Sequence, residues 1–181
     1  MATLRIFAAD HPEASPSTMT APADVAIALR EAGIIYQRWT PLPDIAPGVD
    51  PALVLSAYRE SIAAVQAQGG YRAVDVVSIA PNDPDRAAKR LKFLPEHTHR
   101  EDEVRFFAAG GGLFCLHVGE QVLQVSCTVG DLLVVPDGTR HWFDMGANPA
   151  FVAIRWFTDP AGWIAQPTGW AEAARFPRLE D

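Results

Sequence analysis

The 181-residue sequence holds only two cysteines, Cys115 and Cys127. Two cannot build a disulfide scaffold, and their spacing forms no CxxC zinc knuckle. If LFCLHVGEQVLQVSC is a hairpin turning at Gly119-Glu120, Cys115 faces Gln124 rather than Cys127. Both then read as reduced, buried thiols. Basic residues are also in deficit: 15 Lys and Arg stand against 22 Asp and Glu, a net charge of −7. That balance argues against nucleic-acid and membrane partners, which need a clustered basic surface. No run approaches the ~20 apolar residues of a membrane span. The N-terminal run MATLRIFAAD breaks at Asp10, short of a secretory signal's apolar core. A cytoplasmic location is the expectation. HExxH is absent, as are a Gly-rich phosphate loop and GxSxG; the first absence excludes a zincin protease.

What is present is apolar and well punctuated. Apolar residues make up 49% of the chain, enough for one sizeable core, with 13 Gly and 15 Pro to turn it. Residues 3–8 alternate as a short strand. Residues 24–32 read as a helix ending at Gly33, and 34–39 as a second strand. Asp50 is an N-cap with Pro51 at the first helical position, and helical spacing runs on to Gly69-Gly70. From Tyr71 the character changes. Residues 74–80, 103–110, 112–119, 121–129, 131–136 and 150–157 are short β-rich segments between turn signals. Residues 81–90 read as a polar loop with at most one helical turn. The expected fold is mainly β: a single domain, 1–181, built on an antiparallel β-barrel. Residues 1–70 supply a strand and two or three outer helices, and 71–181 form the barrel core.

The run Glu96-His97-Thr98-His99-Arg100-Glu101-Asp102-Glu103-Val104-Arg105-Phe106 carries the chemistry. Side chains two apart on a strand share a face, so His97 and His99 can point the same way. Glu103 and Arg105 share that parity. His141 follows the Pro136-Asp137-Gly138 turn, and a hairpin can return it to the first motif. Imidazole and carboxylate together suit a divalent transition metal. Three His and one Glu fill four positions and leave an octahedral ion two adjacent sites, enough for a bidentate substrate. A closed structural zinc site would need more cysteine. His11 and His117 fall outside the pattern and read as structural.

The pattern H-x-H-x3-E-x6-G, ending at Gly110, resembles the first cupin motif, and Gly130-x5-Pro136-x-Gly138-x2-His141 the second. Two positions depart from it: Leu91 stands where a glycine is expected before His97, and Met145 where an asparagine is expected after His141. More closely, KFLPEHTHREDEVRFF, GDLLVVPDGTRHWFDMG, AIRWF and Gly162-Trp163 resemble the acireductone dioxygenase family of methionine salvage, from about Gly70 to Phe176. The resemblance implies a cupin-type barrel, with His97, His99, Glu103 and His141 as ligands of one Fe(II) or Ni(II) per chain. It implies 1,2-dihydroxy-3-oxo-5-(methylthio)pent-1-ene and O2 as substrates. The iron form of the family yields formate and 4-methylthio-2-oxobutanoate. The nickel form yields formate, carbon monoxide and 3-(methylthio)propanoate.

Arg105 is the expected cationic partner of the bound substrate anion, against a surface pairing with Glu101 or Asp102. Phe93, Phe143 and Trp163 are candidates for an apolar pocket around the methylthio tail; Trp142, Trp156 and Trp170 read as core or rim. Two alternatives stand beside this reading. One is another metal cupin, acting on a different ene-diol or isomerising a phosphosugar, which would need more Lys or Arg near the ligands. The other is a non-catalytic ligand-binding cupin. The acidic surface and the lack of a long apolar exposed strand favour a monomer.

Overall fold

The β-branched and apolar stretches become strands where their patterning predicts. In the computed structural model, residues 1–159 and 164–180 are described. The order is β1 (Thr3–Ala8), β2 (Ser17–Met19), α1 (Pro22–Glu31), β3 (Ile35–Arg38), α2 (Pro51–Ala57), α3 (Arg59–Gly69), β4 (Ala73–Ile79), α4 (Arg86–Phe93) and β5 (His97–Thr98). There follow β6 (Glu103–Ala109), β7 (Gly112–Val118), β8 (Gln121–Cys127), β9 (Asp131–Val135), β10 (Arg140–Asp144), β11 (Phe151–Phe157), β12 (Gln166–Pro167) and a 3₁₀ turn, Ala171–Arg175.

The strands form two antiparallel sheets. One has seven strands in the order β12-β5-β10-β7-β8-β1-β2, the other five in the order β3-β9-β6-β11-β4. Among the described residues no strand pair joins the two sheets. The expected barrel is therefore a cupin-like sandwich rather than a closed cylinder. Phe107, Leu133 and Ala153 of the smaller sheet meet Phe114, Leu123 and Phe143 of the larger one in the core between them. The first seventy residues contribute strands as well as helices: β1 pairs with β8, and β3 with β9.

Every residue of β6 and β11 is buried. Their inner faces meet the other sheet, while Val104, Phe106, Ile154 and Trp156 pack under Val54, Tyr58 and Ile62 of the helical segment. Burial on both faces is why these strands read as continuous apolar runs rather than alternating ones. The outer face of the larger sheet is covered by the chain's C-terminal part, where Ala173 and Phe176 pack on Leu113, Cys115 and Trp142. The hairpin turns at Gly119-Glu120 and sets Cys115 opposite Gln124 as the spacing predicts. Both cysteines are buried and unpaired.

The helices differ from expectation in two places. The single helix expected from Asp50 breaks at Tyr58, whose backbone (φ −95°, ψ 14°) is shared by the end of α2 and the start of α3. The Tyr58 ring is buried against Phe106, and its hydroxyl accepts from the Leu42 amide at 2.8 Å. These contacts fix the phenol and with it the break. The second difference is α4, which forms where a loop was expected. It buries no residue of its own. Its Arg90 donates twice to Asp144 of β10, at 2.7 and 3.0 Å. The α-helices therefore number four among the described residues, and the fourth lies beyond the first seventy residues, at the middle of the chain. No described helix is long and apolar enough to cross a membrane.

Candidate metal centre

β5 is only two residues long, yet it is paired on both sides. His97 lies opposite His141 of β10 and opposite Pro167 of β12. His99 follows directly. The turn before β10 depends on Gly138, whose φ of +73° suits glycine and strains other residues. The Gly138 amide donates to the His99 carbonyl at 3.1 Å, so the turn delivering His141 is tied to the segment carrying the other two imidazoles. Glu103 opens β6 in the opposite sheet and reaches across the gap.

The three rings converge. Their centroids are 4.6 Å apart for His97–His141 and 5.2 Å for both His97–His99 and His99–His141. One nitrogen from each lies within 4.8 Å of the others. His97 Nδ1 is 2.8 Å from the Pro95 carbonyl, and His141 Nδ1 is 2.7 Å from the Thr139 carbonyl. Carbonyls only accept, so both Nδ1 atoms carry the proton and both Nε2 atoms keep a lone pair. Glu103 Oε2 stands 2.9 Å from His141 Nε2 and 3.4 Å from His99 Nε2.

Two lone-pair donors 2.9 Å apart, with the imidazole proton already committed elsewhere, call for a positive charge between them. The donor set meets the same need: three imidazoles and one carboxylate suit a divalent ion of the iron–nickel series. His99 Nδ1 is buried without a hydrogen-bond partner. The residues thus fit a metal.

The electrostatics agree. Burial works against the Glu103 charge, but the Arg105 guanidinium beside it, with the His141 and His99 imidazoles adding to it, outweighs that and holds its pKa well below the usual carboxylate range. Burial, reinforced by the neighbouring His141, pushes His97 down to about 4. Carboxylate and neutral imidazole are the forms that bind a metal at neutral pH. Burial also lowers the Arg105 pKa, against the pull of Glu103. A guanidinium starts high enough to stay charged.

Arg105 pairs with Glu103 through Nη2, not with Glu101 or Asp102. Its guanidinium lies 4.7 Å from the Phe143 ring centroid and 4.9 Å from that of Phe114. Aromatic faces on this scale stabilise a desolvated cation by up to about 2 kcal/mol. Glu101 instead accepts from the amides of Thr158 and Asp159, at 2.6 and 3.0 Å. Asp102 accepts from the Asp137 amide at 3.0 Å.

The four candidate ligands and Arg105 line a cavity of about 580 Å³. Phe93 and Phe143 line it too; Trp163 lies outside the described residues. Several lining residues were missed by sequence reasoning: Val77 and Ile79 of β4, Lys89 and Lys92 of α4, Arg155 and Phe157 of β11, and Ile164. Arg155 and Phe157 are two apart on one strand, so either would have implied the other. Choosing the inward parity required the β6–β11 register, which sets Arg155 opposite Arg105. The sequence pattern makes His117 structural, and it is buried. It does not sit in apolar core, however, but between Glu96 and Arg140.

Comparison with known proteins matches this geometry. The ARD/ARD' family matches residues 5–165. An acireductone dioxygenase of Stenotrophomonas maltophilia (strain K279a) is 49% identical over 178 residues, covering 98% of this chain and 96% of the relative. One from Synechococcus sp. (strain CC9605) is 53% identical over 159 residues, covering 88% and 86%. Among solved structures, the acireductone dioxygenase from Bacillus anthracis with a cadmium ion in its active centre superposes with a TM-score of 0.81. It shares 31% identity and covers 92% of this chain and 98% of its own. With identity near one half over nearly the whole length, the chain belongs to the acireductone dioxygenase family.

Proposed function

We propose that this protein is a metal-dependent acireductone dioxygenase of methionine salvage. It oxidises 1,2-dihydroxy-3-oxo-5-(methylthio)pent-1-ene with O2. The products are formate and 4-methylthio-2-oxobutanoate with iron, or formate, carbon monoxide and 3-(methylthio)propanoate with nickel. One observation carries the reading: three imidazoles and a buried carboxylate converge on the wall of an apolar cavity in a chain of this family.

His97, His99, Glu103 and His141 hold the ion. When bound, Fe(II) or Ni(II) supplies Lewis acidity and a template for an ene-diolate and O2. The carbonyls of Pro95 and Thr139 keep the His97 and His141 rings turned inward. Such orienting bonds are what fix a ligand's tautomer and direction. Arg105 presents its fixed charge from the same wall and stabilises the oxyanion of the substrate. Phe93, Phe143, Val77 and Ile79 offer the methylthio tail an apolar surface and exclude water around it.

Lys89, Lys92 and Arg155 place cations in the cavity wall, as a phosphosugar isomerase would require. Lys89 is paired with Asp83, and Arg155 is held by two bonds to Asp75. The family match favours the dioxygenase. The protein works as a single-domain cytoplasmic monomer without nucleic-acid or membrane partners, a reading supported by its net charge of −7 and two unpaired, buried thiols.

The test is anaerobic addition of the acireductone to iron- and nickel-loaded protein, then O2. Mass spectrometry should show the 2-oxo acid with iron, and a carbon monoxide assay should be positive with nickel. Substrate recovered unchanged from both loaded forms would overturn the assignment.

A further inference from the structure

We infer that Glu96, His117 and Arg140 form a positioning bracket on the outer face of the larger sheet, which sets the separation of His97 and His141. The inference rests on the metal-centre reading above. Glu96 immediately precedes His97, and Arg140 immediately precedes His141. Neighbouring residues of a strand point to opposite faces, so these two stand back to back with the candidate ligands. His117 of β7 joins them. Its Nδ1 lies 2.6 Å from Glu96 Oε2, and its Nε2 lies 3.0 Å from Arg140 Nη2. A guanidinium only donates, so Nε2 accepts and Nδ1 donates to the carboxylate. One imidazole therefore spans from the residue before one ligand to the residue before the other. His117 and Arg140 are also register partners across β7 and β10, as His97 and His141 are across β5 and β10.

The bracket is enclosed. Glu96 is 2% exposed and His117 7%. The second Glu96 oxygen accepts from the Thr168 hydroxyl at 2.6 Å, and the Glu96 carbonyl accepts from the Thr168 amide at 3.0 Å. Trp170 covers the His117 ring, centroid to centroid at 4.2 Å. Burying a carboxylate is costly even with partners, and an apolar side chain of similar volume would often be as stable. Stability alone does not account for placing one here. Placement does, because β5 has a single register pair with β10 and so little ladder of its own to fix His97. Side-chain ties behind the sheet supply what the two-residue strand lacks.

Two His117 variants separate positioning from simple support. His117→Phe keeps a ring against Trp170 and breaks both bonds; His117→Gln keeps one donor and one acceptor. Each full-length variant is prepared metal-free, then titrated with Co(II) against a chromophoric chelator, with the Co(II) ligand-field spectrum and the metal-free melting temperature recorded. Co(II) binding should weaken about 10- to 100-fold in His117→Phe, with an altered spectrum. His117→Gln should restore most of the affinity and the parent spectrum. Parent-like affinity and spectrum in His117→Phe would overturn the bracket. So would a loss of affinity that merely follows the melting temperature and is not rescued by Gln. If His117→Phe does not fold, Arg140→Met cuts the same bracket at its other end, and unchanged affinity there overturns it equally. A parent that binds no Co(II) overturns the metal centre itself and the bracket with it. A parent that binds tightly beside an unaffected His117→Phe overturns the bracket alone.

Discussion

Around β5 and the adjoining ends of β10 and β7, the larger sheet carries polar side chains on both faces, and the two faces treat buried charge in opposite ways. On the inner face, acceptors converge: His141 Nε2 and Glu103 Oε2 meet at 2.9 Å with the imidazole proton committed to a carbonyl. On the outer face, donors meet acceptors: Thr168 and His117 both donate to Glu96, and Arg140 donates to His117. A face of converging lone pairs is complete only with a cation. A face of matched pairs is complete already and can serve as a fixed frame. One sheet thus carries a reactive side and a rigid side, and side-chain parity along each strand separates them.

The comparison breaks hardest at Glu103. Glu103→Ala removes the carboxylate that neutralises Arg105 and is proposed to help hold the ion. Metal content should fall from about one equivalent per chain toward zero, with turnover lost. The metal-free protein should lose about 3–5 kcal/mol, because a buried guanidinium is left alone. Elemental analysis, O2 uptake and denaturant unfolding check the three outcomes; retained metal would return Glu103 to a structural role.

Arg105→Met comes next. Its flexible apolar chain fills the slot between Phe114 and Phe143 without the charge. Metal should stay bound, since the ion itself compensates Glu103, while kcat falls about 10²- to 10³-fold. Loss of metal together with activity would show that Arg105 serves the ion rather than the substrate.

The smallest effect on turnover contrasts two neighbours on β10. Phe143 faces the cavity, whereas Trp142 packs outward against Trp170 and Phe176. Either change to Ala should cost about 3–5 kcal/mol of stability. Only Phe143→Ala should also raise KM, by about tenfold, as expected for about 1–3 kcal/mol of lost tail binding. Equal KM values for the two variants would remove Phe143 from the substrate pocket.

How much of this was legible in the sequence depends on the distance over which each feature is encoded. His97 and His99 lie two apart, and strand parity alone puts them on one face; Glu103 is only four residues on, but it opens a strand of the opposite sheet and meets them across the gap. His141 is legible because a Pro-Asp-Gly turn announces its strand. The same parity placed Arg105 beside Glu103. Its rejection of Glu101 and Asp102 was not legible, because those carboxylates are claimed by amides at 158, 159 and 137. The break at Tyr58 was hidden for a similar reason: its hydroxyl partner, Leu42, lies sixteen residues away. α4 was hidden because its anchor is Asp144, fifty-four residues on, and not an apolar stripe of its own.

By itself, then, the sequence determined the strand-rich composition, the nitrogen and oxygen donor set, and the parity that sets His97 beside His99 and Glu103 beside Arg105. These follow from local rules of period two and from residue chemistry. Only the tertiary structure decided that two sheets close over the site without joining into a barrel. It alone also decided that Arg155 and Phe157 share the cavity, and that His117 bridges the residues behind two of the donors. Each of those depends on which strands become neighbours and in what register. Register is settled by burial summed over the whole core and not by any one segment.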